Sequence, residues 1–349
     1  MKIAFFDTHQ FEKPFFEEAN KRFGHEITYF EPRLTVQTAP LVRNFPCVCC
    51  FVNDVLDAQT LCALSCEDFK VIALRSAGYN NVDLEEAYKL GLTVVRVPSY
   101  SPHAVAEHAV GLLLALDRKI PKAYARVHEL NFSLDGLVGF DLYDKTIGVI
   151  GTGKIGSIFS KIMRGFDCNV LAFDIHPSAE LSDRSIVRYV DLDELFRESD
   201  IISLHTPLTP QTHHLIDTPA LTQMKPGAIL INTGRGALID SHALLDALKN
   251  LRLGGAALDV YEEEEGVFFQ DLSDKILRDD VLARLILFPN VIITSHQAFL
   301  TREALRAIAE TALGNVADFE KGRPLRNEVR PEHHIRKAAG IHGESRGAA

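Results

Sequence analysis

Thr146-Ile147-Gly148-Val149-Ile150-Gly151-Thr152-Gly153-Lys154-Ile155-Gly156 opens a segment that continues as a helical pattern over residues 157–164. A second apolar run follows, Asn169-Val170-Leu171-Ala172-Phe173, closed by Asp174. Strand, glycine-rich turn, helix, strand and acid in this order make a dinucleotide-binding fingerprint. Gly151 permits the tight turn, Gly153 lets the backbone approach a pyrophosphate, and Gly156 lets the helix pack on the strand. The helix start, with Lys154 and Ile155, presents free N–H groups and a positive dipole end to phosphates. Asp174, eighteen residues beyond Gly156, stands where a ribose-binding carboxylate belongs. A carboxylate there repels a 2′-phosphate, and Ile175-His176-Pro177 offers no Arg or Lys to receive one, which favours NAD over NADP.

Outward from this segment, apolar runs recur at residues 201–204, 228–232, 255–259 and 291–294, giving six strands with the first two. Thr206, Pro207, Thr233, Gly234 and Asp259 lie just past predicted strand ends, the rim where open α/β sheets bind ligands. The first hundred residues repeat the alternation, with strands expected at 2–6, 27–30, 47–52, 71–74 and 93–97 and helices at 15–23 and 83–90. Near-continuous apolar runs alternating with helical spacing predict α/β architecture with two parallel sheets. Ser101-Pro102-His103 marks a helix start. The helix expected over 102–116 is apolar nearly all round, which suggests burial between domains or subunits. Residues 301–321 read as a helix returning to the first unit, and 331–349, without periodicity, as a flexible tail.

At 349 residues, roughly 150 per domain gives about two domains. A charge of -10, from 37 Lys and Arg against 47 Asp and Glu, argues against nucleic-acid binding. No apolar run is long enough to span a bilayer. Asp7 interrupts any signal-peptide core, so a cytoplasmic location is expected. Of six cysteines, Cys47, Cys49, Cys50, Cys62 and Cys66 cluster. Without a C-x-x-C pair, and with strand neighbours pointing to opposite faces, they read as reduced core thiols and not a metal site. The pairs His213-His214 and His333-His334, and His103 with His108, show no metal-ligand spacing, so no metal is expected.

The chain resembles the D-isomer-specific 2-hydroxyacid dehydrogenase family over residues 1–328. Beside the glycine loop, the matching pieces are Ile231-Asn232-Thr233-Gly234-Arg235-Gly236, Leu258-Asp259-Val260-Tyr261-Glu262 and Ile293-Thr294-Ser295-His296. Arg75-Ser76-Ala77-Gly78-Tyr79-Asn80-Asn81-Val82-Asp83, Val97-Pro98-Ser99-Tyr100-Ser101-Pro102, the acidic-aromatic stretch 262–271 with Phe268-Phe269, and Gln297-Ala298-Phe299-Leu300-Thr301 are similar to its lactate-forming branch.

The resemblance implies a Rossmann NAD-binding domain, 101–299, inserted in a discontinuous flavodoxin-like substrate domain, 1–100 and 300–330, with the active site between them. It implies reversible reduction of pyruvate to D-lactate by NADH. Arg235 would bind the substrate carboxylate and polarise the ketone, tasks suited to a planar cationic fork. His296 would deliver the proton, as a side chain that ordinarily titrates near neutrality can, and Glu264 would orient its imidazole. Among Glu262-Glu263-Glu264-Glu265 only the spacing from Val260-Tyr261 selects Glu264, with Glu265 as the fallback. Thr212 joins the expected cofactor contacts. Ser76, Ala77 and Gly78 would hold the carboxylate, and Phe51, Val52, Tyr100 and Phe299 would line the substituent pocket. The alternatives are a bulkier or different 2-keto acid, formate- or phosphite-like oxidation, and an NAD-sensing co-repressor-like protein. The resemblance further implies a homodimer or dimer-based assembly.

Overall fold

The computed structural model describes residues 1–65 and 68–331 in two compact units, one of Met1–Ser101 with the segment from Leu300 onward, the other Pro102–Phe299. Cys66 and, Pro331 apart, the expected tail lie outside the described residues, as does the His333-His334 pair.

In the first unit, β1 (Lys2–Phe5), β2 (Glu26–Tyr29), β3 (Cys47–Cys50), β4 (Val71–Leu74) and β5 (Thr93–Val95) form a parallel sheet in the order β2-β1-β3-β4-β5. β1, β3 and β4 are buried along nearly their whole length, as strands covered on both faces must be. Ala4, Phe6, Val48, Cys50, Ile72 and Leu74 fill one face. On the other, Phe5 meets Phe16 edge-on, with ring centroids 4.8 Å apart. Helices Lys13–Phe23 and Arg302–Glu320 pack together in this unit. Cys47, Cys49, Cys50 and Cys168 are free, buried thiols, and burial pushes Cys49 up to about 12. Cys62 is free and exposed.

The second unit holds β6 (Thr146–Ile150), β7 (Asn169–Phe173), β8 (Arg188–Tyr189), β9 (Ile201–Leu204), β10 (Ala228–Asn232), β11 (Leu253–Leu258) and β12 (Val291–Ile293). They pair in parallel in the order β12-β11-β10-β9-β6-β7-β8. The sheet has seven strands and not six, because the two residues of β8 are too few to show an apolar pattern. Strand order reverses beside β6, creating the switch point at which such sheets bind ligands.

Helix Pro102–Asp117 packs on helix Lys154–Gly165 and on β11 of its own unit, which buries nine of its sixteen residues and accounts for much of its apolar character. Apolar exposure lies further on: helix Ile120–His128 has no buried residue, and Tyr124, Phe132, Leu134 and Val138 are exposed. Among the described residues no helix is long and apolar enough to cross a membrane.

Candidate active site and cofactor cradle

β6 delivers its glycines to the switch point. Gly151 has φ +92°, and a Cβ there would lie 2.7 Å from the His205 carbonyl oxygen. A Cβ on Gly156 would lie 1.9 Å from the Gly151 oxygen, so helix and turn touch backbone to backbone. Around Gly153 nothing lies within 4 Å of such a Cβ. Gly153 also caps helix Lys154–Gly165 without any side-chain hydrogen bond, so the dipole end faces open space. That open, uncapped cradle fits a dinucleotide's pyrophosphate.

Asp174 ends β7 against this turn. Its Oδ2 accepts hydrogen bonds from Thr152 N (2.6 Å) and Thr152 Oγ1 (3.0 Å), and its Oδ1 accepts one from His176 N (2.8 Å). Thr152 Oγ1 lies 2.9 Å from the Tyr189 hydroxyl, so β8 helps hold the loop. Beyond β9, Thr206 and Pro207 follow His205, whose Nε2 lies 2.9 Å from Ser203 Oγ. Desolvation drives the His205 imidazole down to about 3, so it is neutral near pH 7. Thr212 Oγ1 donates to the Pro207 carbonyl at 2.7 Å and ties off this loop. Thr233, after β10, is buried, and its hydroxyl has no partner among the described residues, a second polar group suited to a cofactor.

The catalytic candidates leave the same rim from β10 and β12, with β11 between them. Asn232 staples the turn after β10: its Oδ1 accepts from Gly234 N (3.0 Å) and its Nδ2 donates to the Arg235 carbonyl (2.8 Å). Arg235 is half-buried, and its Nη1 donates to Gly234 O at 2.7 Å. A Cβ on Gly236 would sit 2.0 Å from the Tyr261 carbonyl carbon, so this turn packs on the loop bearing Glu264.

His296 Nδ1 lies 2.8 Å from Glu264 Oε1, while Glu264 Oε2 accepts from Tyr261 N at 3.1 Å. The pair leaves Nε2 as the ring nitrogen that Glu264 does not engage. Within the four-glutamate run, Glu263 and Glu265 are exposed, whereas Glu262 and Glu264 are half-buried and bonded. His296 itself has φ +49°, and its N–H donates to the Asp259 carbonyl at 2.7 Å.

Asp259 braces this turn from inside. Its Oδ1 accepts from Gln297 N (2.8 Å) and Thr294 Oγ1 (2.5 Å), and its Oδ2 from Ala298 N (2.8 Å). His108 Nε2 stands 3.3 Å away. Burial alone would raise the Asp259 carboxyl, but His108, Thr294 and the two backbone donors outweigh it and hold the group below the usual carboxylate range. The brace carried no sequence signal, because His108 and Asp259 lie 151 residues apart.

In the first unit, Ser76 Oγ donates to Gly78 O (2.7 Å) and Arg96 Nη1 to Ala77 O (2.6 Å), bracing that turn. Phe51 is a core residue 5.0 Å from the Arg75 guanidinium, while Val52 and Tyr100 are half-buried. Phe299, also half-buried, ends the second unit.

A family model described as "D-isomer specific 2-hydroxyacid dehydrogenase, NAD binding domain" matches residues 110–298. The D-lactate dehydrogenase of Escherichia coli (strain K12) is 50% identical over 329 residues, 94% of this chain and 100% of that protein. Among solved structures, a pyruvate reductase of Chlamydomonas reinhardtii is 43% identical with a TM-score of 0.89, covering 94% of this chain and 98% of that one. A D-lactate dehydrogenase with NAD+ from Lactobacillus jensenii is 34% identical with a TM-score of 0.78, covering 94% and 99%. The glycine cradle is thus part of an NAD-binding domain, and the chain belongs to the D-isomer specific 2-hydroxyacid dehydrogenase family.

Proposed function

We propose that this protein is an NAD-dependent D-lactate dehydrogenase that reduces pyruvate reversibly. The observation that carries the reading is the Glu264–His296 pair, held 2.8 Å apart on the rim that also bears Arg235 and the glycine cradle. When bound in that cradle, NADH supplies the hydride that the ketone carbon accepts. Residues 151–156 hold the pyrophosphate and Asp174 the ribose, with 206–207, Thr212, Thr233 and Gly234 along the remainder of the cofactor. Arg235 binds the substrate carboxylate through its guanidinium and stabilises the charge developing on the carbonyl oxygen. The Ser76–Ala77–Gly78 turn would offer backbone N–H groups to a substrate carboxylate, the role the family resemblance gives it. His296 Nε2 gives its proton to the carbonyl oxygen, and in the reverse direction takes it from the hydroxyl. Glu264 fixes ring and tautomer through Nδ1, and Asp259 fixes the turn from which the ring projects. Phe51, Val52, Tyr100 and Phe299 are the residues that would bound the substituent.

Steady-state NADH oxidation with pyruvate, glyoxylate, 2-ketoisocaproate and phenylpyruvate, with chiral analysis of the product, tests this. Pyruvate is expected among the best substrates, giving the D-isomer. One methylene in such a pocket shifts discrimination by about 1–3 kcal/mol, so a preference for a bulkier acid would relocate the substrate within the family. An inert protein that binds NADH tightly would favour a sensing role instead.

The exposed apolar side chains over residues 120–143 support a homodimer formed through that segment, beyond helix Pro102–Asp117. Phe132→Glu with Leu134→Glu should convert the dimer to a monomer in light scattering. The free, buried thiols suit a reducing compartment and support a cytoplasmic location.

A further inference from the structure

We propose a first-row transition-metal site in the second unit, formed by His213, His214 and Glu262, with Zn2+ as its representative ion. One ligand atom from each of the three lies within 4.8 Å of the other two. His214 Nε2 is 2.5 Å from Glu262 Oε1, and the rings of His213 and His214 are 4.0 Å apart at 31°. An ion about 2.0–2.2 Å from two imidazole nitrogens and a carboxylate oxygen requires the two rings to turn from this arrangement toward a common point, with a remaining position open to water. Two nitrogens and one carboxylate suit Zn2+, Co2+ or Ni2+ better than Mg2+ or Ca2+, which take oxygen ligands.

Two features make this more than two neighbouring histidines. The ligand loop is fixed by backbone: His214 has φ +51°, its N–H donates to Ala237 O (2.8 Å), and Ile216 N–H donates to Leu238 O (3.0 Å). The carboxylate is oriented from outside, since Glu262 Oε2 accepts from Ser241 N (3.1 Å) and leaves Oε1 toward the imidazoles. His213 is exposed, so an ion reaches the site from solvent. Neither Glu264 nor His296 belongs to this set, so the site is separate from the proton-transfer pair. It does grip the loop that carries Glu264, two residues beyond Glu262.

Isothermal titration of the untagged, chelator-stripped full chain with ZnCl2 tests the site. One Zn2+ per chain is expected, with a thermal midpoint that rises with Zn2+ concentration. His213→Gln, a change on the surface, should weaken binding by about 10–100-fold at least, the usual cost of losing even an outer-sphere partner. The same variant should abolish the midpoint shift while unfolding at the parent temperature in chelator. Glu262→Gln should weaken binding similarly. Absence of stoichiometric Zn2+ binding, or equal affinity in His213→Gln, would overturn the proposal.

Discussion

His296→Ala should lower kcat for pyruvate reduction by about 10²–10⁴-fold, the range that positioned proton transfer contributes, and leave the NADH dissociation constant within a few-fold of the parent. The split follows from where the groups sit. The glycine cradle leaves the sheet at β6, and three strands, β9, β10 and β11, separate it from β12 and His296. Removing the imidazole therefore strips the proton donor without touching the turn at Gly151 or the helix start at Lys154. Glu264→Gln should cost less than His296→Ala: an amide oxygen can still accept from Nδ1, but the carboxylate's charge on the ring is gone. Steady-state kinetics with fluorescence titration of NADH separates these effects. If His296→Ala destroyed NADH binding at unchanged kcat, the proton-donor assignment would fail.

Legibility in the sequence tracked how local each signal was. The parallel sheets were readable because strands buried on both faces are written as unbroken apolar runs, and β3, β4, β6 and β9 are all of that kind. The glycine loop was readable because its three roles are steric and fall within six residues. β8 escaped notice since two residues carry no period, although Tyr189 helps hold Thr152. For helix Pro102–Asp117 the apolar periphery was plain, but its neighbours within the unit, helix Lys154–Gly165 and β11, lie well away in the chain, a matter of tertiary packing that no local pattern writes. The four glutamates were distinguishable only by resemblance, because the difference between Glu262, Glu263, Glu264 and Glu265 lies in which imidazole stands opposite. Glu262 meets His214, 48 residues earlier, and Glu264 meets His296, 32 residues later. The same distance hid the His213–His214–Glu262 set, whose histidines alone gave no ligand spacing.

Arg75→Met should destabilise the first unit by about 3–5 kcal/mol, the cost of stranding one member of a buried ion pair. The Arg75 side chain is wholly buried, and that of Glu12 is 3% exposed. Arg75 Nε and Nη2 donate to the two Glu12 oxygens at 2.9 and 2.8 Å. Nη1 donates to the carbonyls of Phe6 and Cys49, Nη2 also to that of Asp7, and the cation lies 4.0 Å from the Phe5 ring centroid. Burial disfavours the charge on Arg75, yet the Glu12 carboxylate outweighs burial and raises the guanidinium above its usual range. Methionine fills much of the volume and none of these roles, leaving the Glu12 carboxyl in the core without its guanidinium and with the His9 N–H on one oxygen. Adding Glu12→Leu removes the stranded carboxylate, so the double variant should recover most of the loss. About 1–3 kcal/mol should persist for carbonyls left without a donor. Cys49 O keeps the Phe6 N–H in the double variant, so the residue of the effect falls on Phe6 O and Asp7 O. Urea unfolding of the parent, single and double variants measures these terms. A single-variant loss below about 1 kcal/mol would show that water reaches the pair, and that Arg75 does not lock the end of β4 from which the Ser76–Ala77–Gly78 turn departs.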